Sequence, residues 1–163
     1  MKNIYKIILI LTLMIGTPIT IAAQKNSSTK YKCMVQMSNY MGEGAYIVVS
    51  LIDSKGAYEK TLYVLGSNKK WYHDLKEWHK FQTKKPANIS AITGASVTGG
   101  DRSIAVLEIE DSKINSGYTL RFESAVENQE YYEKDIEIPL TTENVSGKTE
   151  GTKYIRYVRL SPN

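Results

Sequence analysis

Three hydroxyls on one short stretch, Thr93, Ser96 and Thr98, are the side chains whose types and spacing point most directly to chemistry. They stand in Ile92-Thr93-Gly94-Ala95-Ser96-Val97-Thr98-Gly99-Gly100, with two small residues between the first two hydroxyls and a double glycine after the third. Two readings fit. In the first the stretch is a surface turn whose hydroxyls bond their own backbone. In the second it is a modification sequence that offers a hydroxyl to another enzyme. Gly94 and Ala95 put little bulk in the way of a foreign cleft, and Gly99-Gly100 gives the backbone freedom on the far side.

Other constellations carry less. His73 and His79 are six apart, which on a helix turns them to different faces, and with Asp74 they lack the i, i+4 geometry of helix-borne metal ligands. They read as surface histidines, and no metal site is expected. Trp71, Tyr72 and Trp78 could stack on a flat, polarizable ring, although tryptophans at helical spacing are more often core anchors. Glu127, Glu130, Glu133 and Asp135 surround Tyr131-Tyr132. Period two would set Glu133, Asp135 and Glu137 on a solvent face opposite Tyr132, Ile136 and Ile138. That face could dock a basic partner, but solvation is the simpler account. No nucleophile elbow, Cys/His arrangement or Walker-type loop is present, so the chain is not expected to be an enzyme.

The elements that must position these residues are mostly strands. Period-two runs rich in Tyr, Ile, Val and Thr predict strands over 31–38, 45–53, 58–65, 103–110, 117–126, 131–138 and 152–160. Turn residues separate them, and Asp53-Ser54-Lys55-Gly56 between two apolar runs reads as a hairpin. Seven strands without alternating helices imply an all-β antiparallel sandwich of the immunoglobulin or fibronectin kind. Lys153, Arg156 and Arg159 among Tyr154, Ile155, Tyr157 and Val158 suggest a charge-protected edge strand. The exception to period two is 69–81, where Trp71, Leu75 and Trp78 predict one amphipathic helix of about three turns capping an end or edge of the sandwich. Between Pro86 and residue 102 runs a long connection with no strong strand signal. It contains the hydroxyl stretch, and long connections in compact domains are frequently functional.

The N-terminus bounds the compartment. Lys2 and Lys6 precede the apolar run Ile7 to Ile15, Gly16 and Pro18 break it, and Ile21-Ala22-Ala23 supplies small residues before Gln24. This is the pattern of a secretory signal peptide, 1–23, cleaved after Ala23; its apolar run is short for a membrane span, and a retained signal anchor is the alternative. Residues 24–30 are polar and read as a linker; 31–163 form the expected sandwich domain. Removing 1–23 leaves 140 residues and takes away two lysines, so the formal charge falls from +4 to +2. That is too small to argue for nucleic acid or an anionic membrane as partner. Cys33 is the lone cysteine, so no internal disulfide can form. It sits in the alternating run Tyr31-Cys33-Val35-Met37 and reads as a small buried hydrophobe.

The run Thr61-Leu62-Tyr63-Val64-Leu65-Gly66, then Lys70-Trp71-Tyr72, Leu75 and Trp78, then Ile92-Thr93-Gly94-Ala95-Ser96, resembles a bacterial family of predicted periplasmic proteins, domain of unknown function 2271. The likeness extends over roughly residues 31–160. Members are often encoded beside flavin transferases and PepSY-type membrane proteins, which implies an extracytoplasmic flavin pathway. The hydroxyl stretch is itself similar to the acceptor motif of FMN-binding subunits of sodium-pumping quinone reductases. Those subunits usually read Ser-Gly-Ala-Thr where this chain has Thr93-Gly94-Ala95-Ser96. Family members often keep Ser-Gly-Ala-Thr with no hydroxyl two residues later, so attachment rests on Thr98.

What the resemblance implies is an exported electron-transfer protein carrying covalent FMN on Thr98. Ser96 and Thr93 would be recognition or phosphate-contact groups, and Gly94 and Ala95 the small residues of the motif. The implied partners are a flavin transferase and a PepSY-type membrane redox protein. A second reading is a cofactor-free periplasmic binding or accessory module, acting through its sheet edge or the Trp71–Trp78 helix. A hydrolase or lectin stands third, since sandwiches host many unrelated functions.

Overall fold

Apolar residues at period two build two sheets, seen in a computed structural model that describes residues 27–163. The segment read as signal peptide lies outside the described residues. The strands are β1 (Ser28–Met37), β2 (Tyr46–Ile52), β3 (Tyr58–Leu65), β4 (Thr93–Gly94), β5 (Arg102–Glu110), β6 (Thr119–Ala125), β7 (Tyr131–Pro139), β8 (Lys148–Glu150) and β9 (Ile155–Pro162). One sheet has the order β5-β1-β9-β8 and the other β4-β3-β2-β6-β7. Every pairing is antiparallel except that of β3 with β4. Each of the seven expected strands has its counterpart. β4 and β8, with two and three residues, are too short to carry a period and escape such a reading.

The inner faces share one apolar cluster. Cys33, Val35 and Met37 of β1, Leu107 of β5 and Val158 of β9 meet Ile47 and Val49 of β2, Phe122 of β6 and Ile138 of β7. Side chains of this size contribute about 1.5–3 kcal/mol each when fully buried. Cys33 is among them, with its thiol pushed up to about 12 by burial, so it packs as a hydrophobe. The Asp53–Gly56 hairpin forms as expected: Asp53 Oδ1 accepts from the amides of Lys55 and Ala57, and Gly56 takes a φ of +84°.

The helical segment departs from expectation in two ways. It is broken, with a 3-10 turn over Lys69–Asp74 and then α1 (Lys76–Lys84). Asn68 caps the first piece by accepting from the Lys70 amide, and Leu75, at φ −83° and ψ 70°, breaks the path between the two. Nor does it cap an end of the sandwich. It lies on the outer face of the five-stranded sheet, where Tyr72, Leu75, Trp78 and Ile89 form a second cluster with Val48, Val64 and Ala125. Trp78 and Leu75 are fully buried. Trp71 is only half-buried, and Tyr72 takes the core position in its place.

Three strand-level expectations are also corrected. Ser28–Lys30, read as linker, extend β1 and pair with Glu108–Glu110. β9 is flanked by β1 and β8 rather than lying at an edge. Asp135 is buried, not solvated. The β6–β7 register slips between Phe122 and Ser124, so Asp135 turns inward next to Ile136. There it accepts from the Ser124 hydroxyl at 2.6 Å and the Ile155 amide at 3.1 Å.

The helical layer is tied down by a buried carboxylate. Glu123 of β6, wholly inaccessible to solvent, accepts from the Tyr58 hydroxyl at 2.5 Å, the Tyr131 hydroxyl at 2.6 Å and the Trp78 amide at 3.2 Å. The Trp78 indole N–H donates to Thr61 Oγ1 at 2.9 Å. Burial raises the Glu123 carboxyl above the ordinary glutamate range, against the pull of its donors. The folded chain therefore holds that proton more tightly than the unfolded one. Unfolding free energy falls as pH climbs above about 4.3, the unperturbed glutamate value, and levels off once the folded carboxyl has ionised. Glu123→Gln removes the titration. We expect the stability of the wild type relative to Glu123→Gln to be greatest at about pH 4 and to decline through that window, read from urea midpoints. A difference that does not change between about pH 4 and 8 would refute this account.

Candidate functional site

The hydroxyl stretch is placed by the element before it. α1 ends where the Lys85 amide returns to the Phe81 carbonyl, ahead of Pro86. The Gln82 side-chain amide holds the Ala87 carbonyl at 2.8 Å, and Asn88 Oδ1 accepts from the Ser90 amide. Ile89 and Ile92 then pack into the outer cluster, which delivers Thr93 and Gly94 to the edge of β3. There Thr93 stands opposite Val64 and Gly94 opposite Leu65, in parallel, and the Gly66 amide donates to the Gly94 carbonyl at 2.8 Å.

From that edge the chain is pinned repeatedly. Val97 and Ala45 exchange both backbone bonds, at 3.2 and 2.8 Å, and the Val97 side chain is buried. The Tyr40 hydroxyl lies against the same junction, 2.8 Å from the Val97 carbonyl and 2.8 Å from the Ala45 amide that donates to it. The Gly100 amide donates to the Ser38 carbonyl, and the Gln36 side-chain amide donates to the carbonyls of Gly100 and Asp101. Gly99 is required here, since a Cβ on it would stand 2.1 Å from the Tyr40 carbonyl oxygen.

The three hydroxyls are not equivalent. Thr93 Oγ1 donates to the Ile89 carbonyl at 2.7 Å, as a turn hydroxyl should. Ser96 and Thr98 are exposed on either side of buried Val97, and neither hydroxyl enters a side-chain hydrogen bond among the described residues. The turn reading thus accounts for Thr93 and leaves the other two unexplained. Gly94 and Ala95 connect the two kinds of hydroxyl, Ala95 exposed and Gly94 half-buried.

Ala95, Ser96, Val97 and Thr98 form one side of an open groove of about 540 Å³, completed by Tyr63 and Leu65 of β3 and by Asp101, Arg102 and Ser103 at the start of β5. The aromatic residues considered for ring stacking do not reach it. Trp78 is sealed beneath α1, and Tyr72 is buried with its hydroxyl beside Thr93. Trp71 lines a separate groove with His73 and Tyr131. The aromatic of the motif groove is Tyr63, and its cation is Arg102. Neither stands out in the sequence as a site residue: Tyr63 lies in the strand run that carries the family resemblance, while Arg102, directly after Gly-Gly-Asp, is detectable as a charge closing the loop. A larger cleft of about 670 Å³ lies along β3, where Leu62, Phe81, Ile89, Ile92 and Val106 supply apolar wall and Lys60, Lys85 and Glu108 supply charge.

His73 and His79 are both exposed, and the His73 ring faces the Lys70 carbonyl and Asp74. Among the described residues no three His, Cys, Asp or Glu side chains gather as a metal site, and no helix is long and apolar enough to cross a membrane.

Fold and site together define a small β-sandwich protein that presents two exposed hydroxyls on a pinned loop at a sheet edge. The chain belongs to the family described as predicted periplasmic protein, DUF2271, which matches residues 28–157. No curated protein and no solved structure matches it.

Tyr40→Phe removes the hydroxyl that joins Val97 to Ala45. We expect it to cost about 1–3 kcal/mol and to speed amide exchange at 95–101 more than in β2 or β6. Uniform acceleration across all strands would contradict the pinning assigned to Tyr40.

Proposed function

We propose that this protein is a periplasmic electron carrier bearing FMN covalently on Thr98. It would pass electrons between a PepSY-type membrane redox protein and an acceptor outside the cytoplasm. The observation that carries this reading is the exposed Thr98 hydroxyl, unbonded among the described residues, in the pattern Thr93-Gly94-Ala95-Ser96-Val97-Thr98 at the rim of an open groove. The family's periplasmic description agrees with it. The immunoglobulin- or fibronectin-like form of the sandwich belongs to the same proposal and is supported by two facing, mainly antiparallel sheets.

Attachment asks one thing of this chain. Thr98 Oγ must reach the flavin-side phosphorus of FAD in the cleft of a flavin transferase. There the Oγ–P bond forms and the bridging P–O bond breaks. AMP leaves with the electron pair, and the threonine proton passes to a base of the transferase, whose metal ions would stabilise the phosphoryl charge. Exposed Ala95 and Ser96 leave the approach uncluttered. The groove can accept the group: it is open, of ligand size, and lined by hydroxyls, one aromatic and one guanidinium. Once bound, FMN supplies reversible electron transfer, while the protein supplies attachment and electrostatics.

A cofactor-free binding module is the competing reading, and the apolar cleft beside Phe81 is what favours it. Co-expression with a flavin transferase followed by intact mass separates the two. We expect the wild type to gain the mass of one FMN less water, Thr98→Ala to gain none, and Ser96→Ala to remain a substrate. An unmodified wild type, with the transferase active on a control acceptor, would exclude the FMN reading.

A further inference from the structure

We infer that the groove beside Thr98 is the seat of the attached flavin, with the Tyr63 ring stacked against the isoalloxazine and Arg102 paired with the phosphodiester. This rests on FMN being carried by Thr98. Among the residues lining the groove, Tyr63 is the one aromatic and Arg102 the one cation. A volume of about 540 Å³ falls within the range of small-molecule sites.

Tyr63 is fixed from behind and open in front. Its backbone pairs with Val49 of β2, and its side chain is half-buried against the inner core. The motif glycine keeps it there, because a Cβ at Gly94 would stand 2.8 Å from the Tyr63 hydroxyl oxygen. Gly94 therefore does more than shorten the turn: it leaves room for the ring that walls the groove. An aromatic ring lining an open groove is suited to stack a flat, polarizable heterocycle.

Arg102 opens β5, four residues beyond Thr98. It is exposed and makes no ion pair or side-chain hydrogen bond among the described residues, whereas Arg121 is engaged by both Glu133 and Glu137. Asp101 lines the same wall, so Arg102 is what offsets negative charge at this rim. A phosphodiester on Thr98 brings one more negative charge, and a planar guanidinium binds phosphate oxygens in paired hydrogen bonds.

The test uses the protein loaded by a flavin transferase, with loading of each variant verified by intact mass, and reads how accessible the flavin is to acrylamide quenching. The wild type should be protected. Tyr63→Leu should raise the ratio of undocked to docked flavin roughly two- to twelvefold, the range of a lost aromatic stack. Tyr63→Phe should keep wild-type protection, and Arg102→Gln should lower it. Trp71→Leu, in the other groove, should leave it unchanged. Equal protection in loaded Tyr63→Leu and wild type would overturn the seat while leaving attachment at Thr98 standing. A wild type that acquires no FMN mass would overturn both.

Discussion

The placement of the hydroxyl-bearing loop depends on one buried carboxylate. Removing Glu123 from water costs several kcal/mol, and it sits on a covered sheet face where Val48, Val64 and Ala125 pack beneath the helical layer and Arg121 and Thr61 are buried with it. Three donors, two tyrosine hydroxyls and the Trp78 amide, offset that cost at about 1.5–3 kcal/mol each. The net gain is modest, but the geometry is selective. Tyr58 and Tyr131 reach the carboxylate from β3 and β7, and the Trp78 amide joins them from α1, so the carboxylate specifies where the helix lies rather than only that it binds. Trp78 reinforces the position through Thr61, on the strand that later receives the motif.

The effects then run along the chain. α1 fixes where the return over 85–92 starts, and Ile89 and Ile92 are anchored in the same outer cluster as Trp78. Thr93 and Gly94 are thereby laid on the edge of β3, at Val64 and Leu65 and nowhere else. Two parallel residues could not hold that edge alone. The Gly66 amide secures Gly94 itself, and the Val97–Ala45 exchange and the Gln36 amide secure the chain from Val97 to Asp101. The loop thus meets the sheet edge as a short added strand, which also covers part of an edge that would be open to pairing with another chain.

Much of this was legible in the sequence, and the rest was missed for identifiable reasons. The seven longer strands announced themselves because each buries one face, and period two is the direct record of that. In β2 the record runs further: Ile47-Val48-Val49-Ser50-Leu51-Ile52 is buried on both faces, a continuous run that signals cover on each side of the sheet. That run is the trace of a helix lying over a face rather than at an end. Asp135 could not be read correctly, because a register slip opposite Phe122 reverses the side on which a residue points without altering its spacing. β9 looked like an edge since its outward residues are charged, yet an uncovered sheet face carries the same charges in a central strand. As for the site, residue types marked out Thr93 to Thr98, but the division between one bonded and two unbonded hydroxyls depends on Ile89, and the roles of Tyr63 and Arg102 on which strands are neighbours.

The pinning of this loop also limits how it can meet a partner enzyme. A flexible peptide would enter a cleft alone and lose conformational freedom on doing so. Here the order is already present. Val97 faces inward with its backbone paired, and Ser96 and Thr98 are turned outward by that same extended geometry. An enzyme acting on Thr98 must accommodate the β3 edge and the start of β5 together with the motif, so its recognition extends beyond six residues to the rim of the groove. The compensation is positional. A group attached at a side chain this firmly set has few places to go, and the nearest open volume is the one bounded by Tyr63 and Arg102. Under the proposed function, a redox ring carried at Thr98 would gain from such a fixed point of attachment, which a free tail could not provide.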